Sequence, residues 1–188
     1  MADGEPVRIL GICGSLRKGS YNRMALNAAV ELAPPDASIE VFEGLRDIPL
    51  YDEDVRQQGF PGPVQKLRAA IAAAEALLFV TPEYNYSVPG VLKNAIDWAS
   101  RPPDQPFNGK PMAVMGASPG NFGTARAQYH LRQSMVFLNG CFVNQPEVMI
   151  GQAAQRFDAN GKLTDEATRK FVGDLVKALA AWARRLKG

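Results

Sequence analysis

Short apolar runs recur along this chain, and each is followed by a segment whose apolar residues keep a helical period; that alternation limits the architecture more than any other feature. The runs are Val7 to Ile12, Ser38 to Phe42, "ALLFVT" at 76–81, "PMAVMGAS" at 111–118 and one strand within "CFVNQPEVMI" at 141–150. Between and after them lie helical segments from about Tyr21 to Leu32, Val64 to Ala74, "VLKNAIDWAS" at 91–100, Thr124 to Leu138, and Asp165 to Leu186. In the first helix Met24, Ala25, Ala28, Ala29 and Leu32 share one face. In the last, Phe171, Leu175, Leu179, Trp182 and Leu186 form an apolar stripe, with Asp165 and Glu166 at its positive start and Arg184, Arg185 and Lys187 at its negative end. The stretch "EGLRDIPLYDEDVRQQGFPGP" at 43–63 reads as an irregular excursion.

Five strands separated by helices predict a parallel sheet covered on both faces, because right-handed crossovers lay each helix over it. The expected class is α/β, a flavodoxin-like three-layer sandwich with a five-stranded parallel sheet in the order 2-1-3-4-5. The 188 residues suit one domain, 1–188, with about 1–5 disordered. In such sheets ligands bind outside the carboxyl ends of the strands, at the switch point between strands 1 and 3. "GSLRKGSYN", "PEYNYS" and "SPGNFG" meet on that rim.

Composition removes other classes. A net charge of +2 gives no electrostatic footprint for nucleic acid, and no basic stripe is interleaved with aromatics. No apolar run has membrane-spanning length and "MADGEPVRIL" lacks the pattern of a signal peptide, so a cytoplasmic protein without a membrane partner is expected. Cys13 and Cys141 have no metal or redox spacing and read as reduced, buried thiols.

"GSLRKGSYN" has the makings of a phosphate loop. A helix amino terminus offers unpaired N–H groups and partial positive charge; Ser15, Ser20 and Asn22 add neutral donors, and Arg17 a forked cation. Ser20 reads equally as a plain N-cap. Other phosphate chemistries fail letter by letter. A P-loop needs lysine where Ser20 stands, and Gly11, Gly14 and Gly19 do not have the G-x-G-x-x-G spacing of a dinucleotide fingerprint. A phosphatase built on Cys13 would need arginine where Gly19 stands. In the second loop two prolines frame Glu83, Tyr84, Asn85, Tyr86 and Ser87; the stiff loop can hold amides towards a flat ligand, although rim packing and an ordinary turn also explain Tyr84, Tyr86 and Asn85.

Together "GSLRKGSYNRMAL" and "PEYNYSVPGVLKNAIDW" resemble the NADPH-dependent FMN reductase family, particularly its chromate and quinone reductase branch, over strand 1 to about Glu147. The resemblance implies noncovalent FMN and NADPH or NADH as co-substrate. It matches Ser15, Arg17, Ser20, Tyr21 and Asn22 to the FMN phosphate loop, Pro82, Glu83, Tyr84 and Asn85 to the loop along the isoalloxazine edge, and Ser118 in "GASPG" to the third approach to the flavin. It implies hydride passage from NAD(P)H through FMN to quinones or to chromate, azo compounds or free flavin, with no catalytic acid or base. The alternative is a flavodoxin-like carrier or redox-sensing module without its own NAD(P)H activity. Arg17 and the near-neutral charge favour the enzyme. Family members being usually dimers or pairs of dimers, Arg126 and Tyr129, at i and i+3 of one helix, are expected at a subunit contact, with Glu147 as the acidic partner of Arg126. His130 reads as structural and "YDED" at 51–54 as a solvated loop, so no metal is expected.

Overall fold

The computed structural model describes residues 5–187; of the stretch expected to be disordered, 1–4 lie outside the described residues. The chain runs β1 (Val7–Cys13), α1 (Tyr21–Glu31), β2 (Ala37–Val41), α2 (Glu53–Gln57), α3 (Gly62–Ala73), β3 (Ala76–Val80), α4 (Gly90–Ala99), β4 (Pro111–Ala117), α5 (Ala125–Ser134), β5 (Cys141–Phe142), β6 (Val148–Ile150) and α6 (Glu166–Lys187). All pairings are parallel, in the order β2-β1-β3-β4-β5, with β6 also on β4. This is the flavodoxin-like arrangement expected from the alternation.

Strand periodicity of two divides the core between the sheet's faces. Ala76, Leu78 and Val80 of β3 join Ile9, Met115 and the buried stripes of α1 and α6. Leu77 and Phe79 point the other way, to Ile12, Val114, Ile71 of α3, Ile96 of α4 and Leu131 of α5. Every residue of β3 is buried, which is why that strand reads as an unbroken apolar run rather than an alternating one.

Two expectations change. The single fifth strand is split: Pro146 has no N–H for the ladder, and the Val143 carbonyl accepts from Arg132 Nη2 at 2.9 Å, so pairing with β4 stops after Phe142 and resumes at Val148. The excursion after β2 is also more ordered than expected. Asp52 caps α2 by accepting from the Asp54 amide at 2.8 Å, and the Pro49 carbonyl accepts from Asn94 Nδ2 at 2.8 Å and from Trp98 Nε1 at 2.9 Å. Trp98 is fully buried, so its indole N–H needs that acceptor.

Near the carboxyl end of β4, a Cβ on Gly116 would collide with Thr124 Oγ1 and the Thr81 carbonyl. Because one neighbour is backbone, Gly116→Ala should destabilise the protein by about 1–3 kcal/mol. Urea unfolding should show a lower midpoint at unchanged slope; an unchanged midpoint would refute the packing argument.

Candidate functional site

Three loops leave the carboxyl ends of β1, β3 and β4. The first is held to the sheet where the Gly14 amide donates to the Val80 carbonyl at 2.8 Å, and an added Cβ on Gly14 would touch Leu92, Thr81 and Pro82. Ser20, in extended conformation, caps α1: its Oγ accepts from the Asn22 amide at 3.2 Å. The plain N-cap reading of Ser20 is therefore realised, and the cap leaves the helix start without any acidic side chain in its first turn. The Ser15 Oγ accepts from the Arg17 amide at 3.4 Å, while the Arg17 side chain is exposed and, among the described residues, pairs with no carboxylate. Tyr21 lays its ring against Phe157, with centroids 5.7 Å apart.

Asn22 is tied to the end of β4. Its side chain is buried, with Nδ2 donating to the Ala117 carbonyl at 2.9 Å and Oδ1 accepting from the Ala117 amide at 2.9 Å. One side-chain N–H and the side-chain oxygen are thus engaged by the end of β4, and Asn22 acts as a clasp between loops.

In the second loop Tyr84 and Ser87 exchange backbone hydrogen bonds of 3.1 and 3.0 Å around Asn85 (φ 49°) and Tyr86 (φ 67°). Positive φ at both central residues defines a tight mirror-image turn; asparagine tolerates it readily, whereas tyrosine there is strained. Pro82 is buried, and Tyr84, Asn85 and Tyr86 are exposed. The Glu83 side chain, only 11% exposed, accepts from the Arg126 and Ala127 amides at 3.0 and 3.2 Å and from Arg126 Nη1 at 2.7 Å. Thr124 precedes α5 at φ 75° and makes no side-chain cap, so Glu83 supplies the cap from the neighbouring loop. The Arg126 guanidinium lies between the rings of Tyr86, at 3.9 Å from the centroid, and Phe122, at 4.6 Å.

Within its own chain Arg126 pairs with Glu83. The Glu147 carboxylate near Tyr129 holds that hydroxyl's pKa above its ordinary value. The sequence exposes Arg126 as a charged residue beside aromatics but gives no local sign of a partner 43 residues away. In the third loop Ser118 is half-buried; its amide donates to the Ile150 carbonyl at 2.9 Å and its hydroxyl to the Gly120 carbonyl at 3.3 Å. His130 Nδ1 lies 3.1 Å from the Ser87 hydroxyl. Cys13 is buried under the first loop, which pushes its thiol pKa up, whereas Cys141 is only half-buried.

A helix start with neutral donors and an unpaired arginine beside a stiff turn suits a phosphate ester with a planar ring. Comparison with known proteins agrees: the family model described as NADPH-dependent FMN reductase matches residues 7–155. The chain belongs to this family. It is similar to an NAD(P)H-dependent FMN reductase of Pseudomonas aeruginosa, 58% identical over 184 residues that make up 98% of this chain and 99% of that one. A quinone reductase of Escherichia coli is 44% identical over 185 residues, 97% of this chain and 98% of the relative. Among solved structures, the flavoenzyme NAD(P)H:(acceptor) oxidoreductase FerB of Paracoccus denitrificans superposes with a TM-score of 0.85 at 37% identity, covering 95% of this chain and 97% of that one.

For this family member the Glu83 carboxylate also has a pH signature. Burial opposes its charge, but the Arg126 guanidinium and the two amides outweigh burial and hold its pKa below the ordinary 4.5. A carboxylate depressed by folding stabilises fully above its unfolded value, and that stabilisation is lost as pH falls through the folded value. Glu83→Gln should therefore cost about 1–3 kcal/mol at neutral pH. The gap from the parent should narrow below the ordinary glutamate range in urea titrations; a pH-independent gap would contradict the charge-based cap.

Proposed function

We propose that this protein is an NAD(P)H-dependent reductase with noncovalent FMN, passing reducing equivalents to quinones or related acceptors, and that residues 1–188 act as one FMN-binding domain. The observation that carries this reading is the meeting of the uncharged, Ser20-capped start of α1 and the unpaired Arg17 with the Glu83-fixed turn at the carboxyl ends of β1 and β3. The N–H groups at the α1 start, with the hydroxyls of Ser15 and Ser20 and the Arg17 guanidinium, suit a terminal phosphate dianion. Tyr21 contributes its main-chain N–H as the first helical residue, its ring being committed to Phe157. Asn22 helps indirectly, by fixing the loop. Pro82 to Asn85 present a stiff backbone edge to the ring, and Ser118 closes the third side. FMN, when bound, supplies a hydride acceptor and donor, so the chain's own task is to bind, orient and favour charge developing at the ring edge.

Among the described residues no helix is long and apolar enough to cross a membrane. Cys13 and Cys141 are both free thiols, which supports a reducing, cytoplasmic setting. We also propose self-association through the α5 side, where Phe122, Tyr129, Val136 and Phe137 are 65%, 52%, 75% and 94% exposed. So many large apolar side chains near one helix suit an isologous contact with a second copy.

Purified protein should oxidise NAD(P)H when a quinone is present; an FMN-loaded protein that does not would be a carrier. Arg17→Ala removes one charge-assisted contact worth about 1.5–3 kcal/mol and should weaken FMN about tenfold or more with the fold intact. Equal FMN affinity in fluorescence titration would refute the phosphate assignment. Phe137→Ser should lower the mass measured by light scattering while FMN still binds; an unchanged mass would refute the contact.

A further inference from the structure

A cavity of about 470 Å³ lies on the β2 side of the first loop, bounded by Leu16 to Lys18, by Arg23 on α1 and by Phe42 to Arg46 beyond β2. It does not include Ser20, the Pro82 to Asn85 turn or Ser118, so it is a separate space that shares one wall, Ser15 to Arg17, with the loop proposed to hold the FMN phosphate. Its charges are lopsided. The acid Glu43 is occupied by Arg23 through two hydrogen bonds, Nη1 to Oε1 at 2.7 Å and Nη2 to Oε2 at 2.9 Å. Lys18 and Arg46 both line the space, are exposed, and pair with no carboxylate among the described residues. The Arg46 guanidinium is aimed at this wall by donating from Nη2 to the Leu16 carbonyl at 2.7 Å, so its position is fixed rather than free in solvent.

Cations brought together around a concave surface, with the local acid already neutralised, favour an anion between them, and a phosphate monoester carries nearly two negative charges at neutral pH. Of the two dinucleotides only NADPH has such a group, on its adenosine ribose; NADH has a hydroxyl there. We propose that this cavity receives the 2′-phosphate of NADPH, with Lys18 and Arg46 reading it, so that these residues set preference for NADPH over NADH. The proposal rests on the NAD(P)H-dependent reading above.

The Lys18 side chain is exposed and donates no hydrogen bond among the described residues, so its substitution leaves the fold unburdened. In the FMN-loaded enzyme with saturating quinone, Lys18→Glu should raise the KM for NADPH at least about tenfold, the loss of a charge-assisted contact, and leave the KM for NADH and the FMN affinity unchanged. Lys18→Arg should restore NADPH use. Calorimetry with adenosine 2′-monophosphate should show binding to the parent and none to Lys18→Glu. Equal KM changes for both dinucleotides, or no change for NADPH, would overturn the proposal. So would inorganic phosphate binding as tightly as adenosine 2′-monophosphate, which would mark a site for the free ion. If the parent oxidised neither dinucleotide, the reductase reading would fail, and the calorimetry would still decide what the cavity binds.

Discussion

One buried amide holds the candidate site together. Asn22, in the first turn of α1, makes both of its side-chain hydrogen bonds to the backbone of Ala117, the last residue of β4. Strands β1 and β4 are not neighbours; β3 lies between them, so the ladder alone does not fix the loop after β1 relative to the loop after β4. The clasp spans that gap with a donor and an acceptor that match a backbone N–H and C=O in one plane. Both groups are out of water, so breaking the pair would leave unsatisfied polar atoms rather than exchange them for solvent. With α1 fixed in this way, its open start faces the rim in one orientation.

Glu83 performs the matching task for the loop after β3. Its carboxylate ties that loop to α5, and the Arg126 side chain it holds stacks on Tyr86. Tyr86 and Thr124 both sit at positive φ, a conformation that costs each of them about 1 kcal/mol or more, and both lie next to these contacts. Strain of this kind persists where surrounding bonds over-determine the backbone. The result is a rim whose donors are arranged before any ligand arrives, which lowers the ordering cost of binding.

Much of this was legible in the sequence because it is local. The strand runs, the helix stripes and the Ser20 cap depend on neighbours within a few residues, and the order 2-1-3-4-5 is a common arrangement for such an alternation. What was not legible depends on long-range pairing. "SYNRM" shows Asn22 beside the capping serine, and nothing nearby signals that its amide faces Ala117, 95 residues on. Arg126 shows its charge and its aromatic neighbours locally, but its pairing with Glu83, 43 residues earlier, has no local sign. The split of the fifth strand likewise depends on β4 extending past Pro146 to pair with Val148, which no local feature of "CFVNQPEVMI" gives.

The two helix starts at the rim are treated in opposite ways, and the contrast bears on where an anion can bind. At α5 the N–H groups of Arg126 and Ala127 already face a carboxylate, so that end of the dipole is neutralised from within the chain. At α1 the cap is a neutral hydroxyl, the first turn carries no acid, and the preceding loop carries the cations Arg17 and Lys18, which pair with no carboxylate among the described residues. An anion approaching this edge meets attraction at α1 and a filled cap at α5. Had a glutamate stood at position 20 the two would be equivalent; the serine there leaves that helix start without a carboxylate, and Glu83 uses the other to hold the turn beside it.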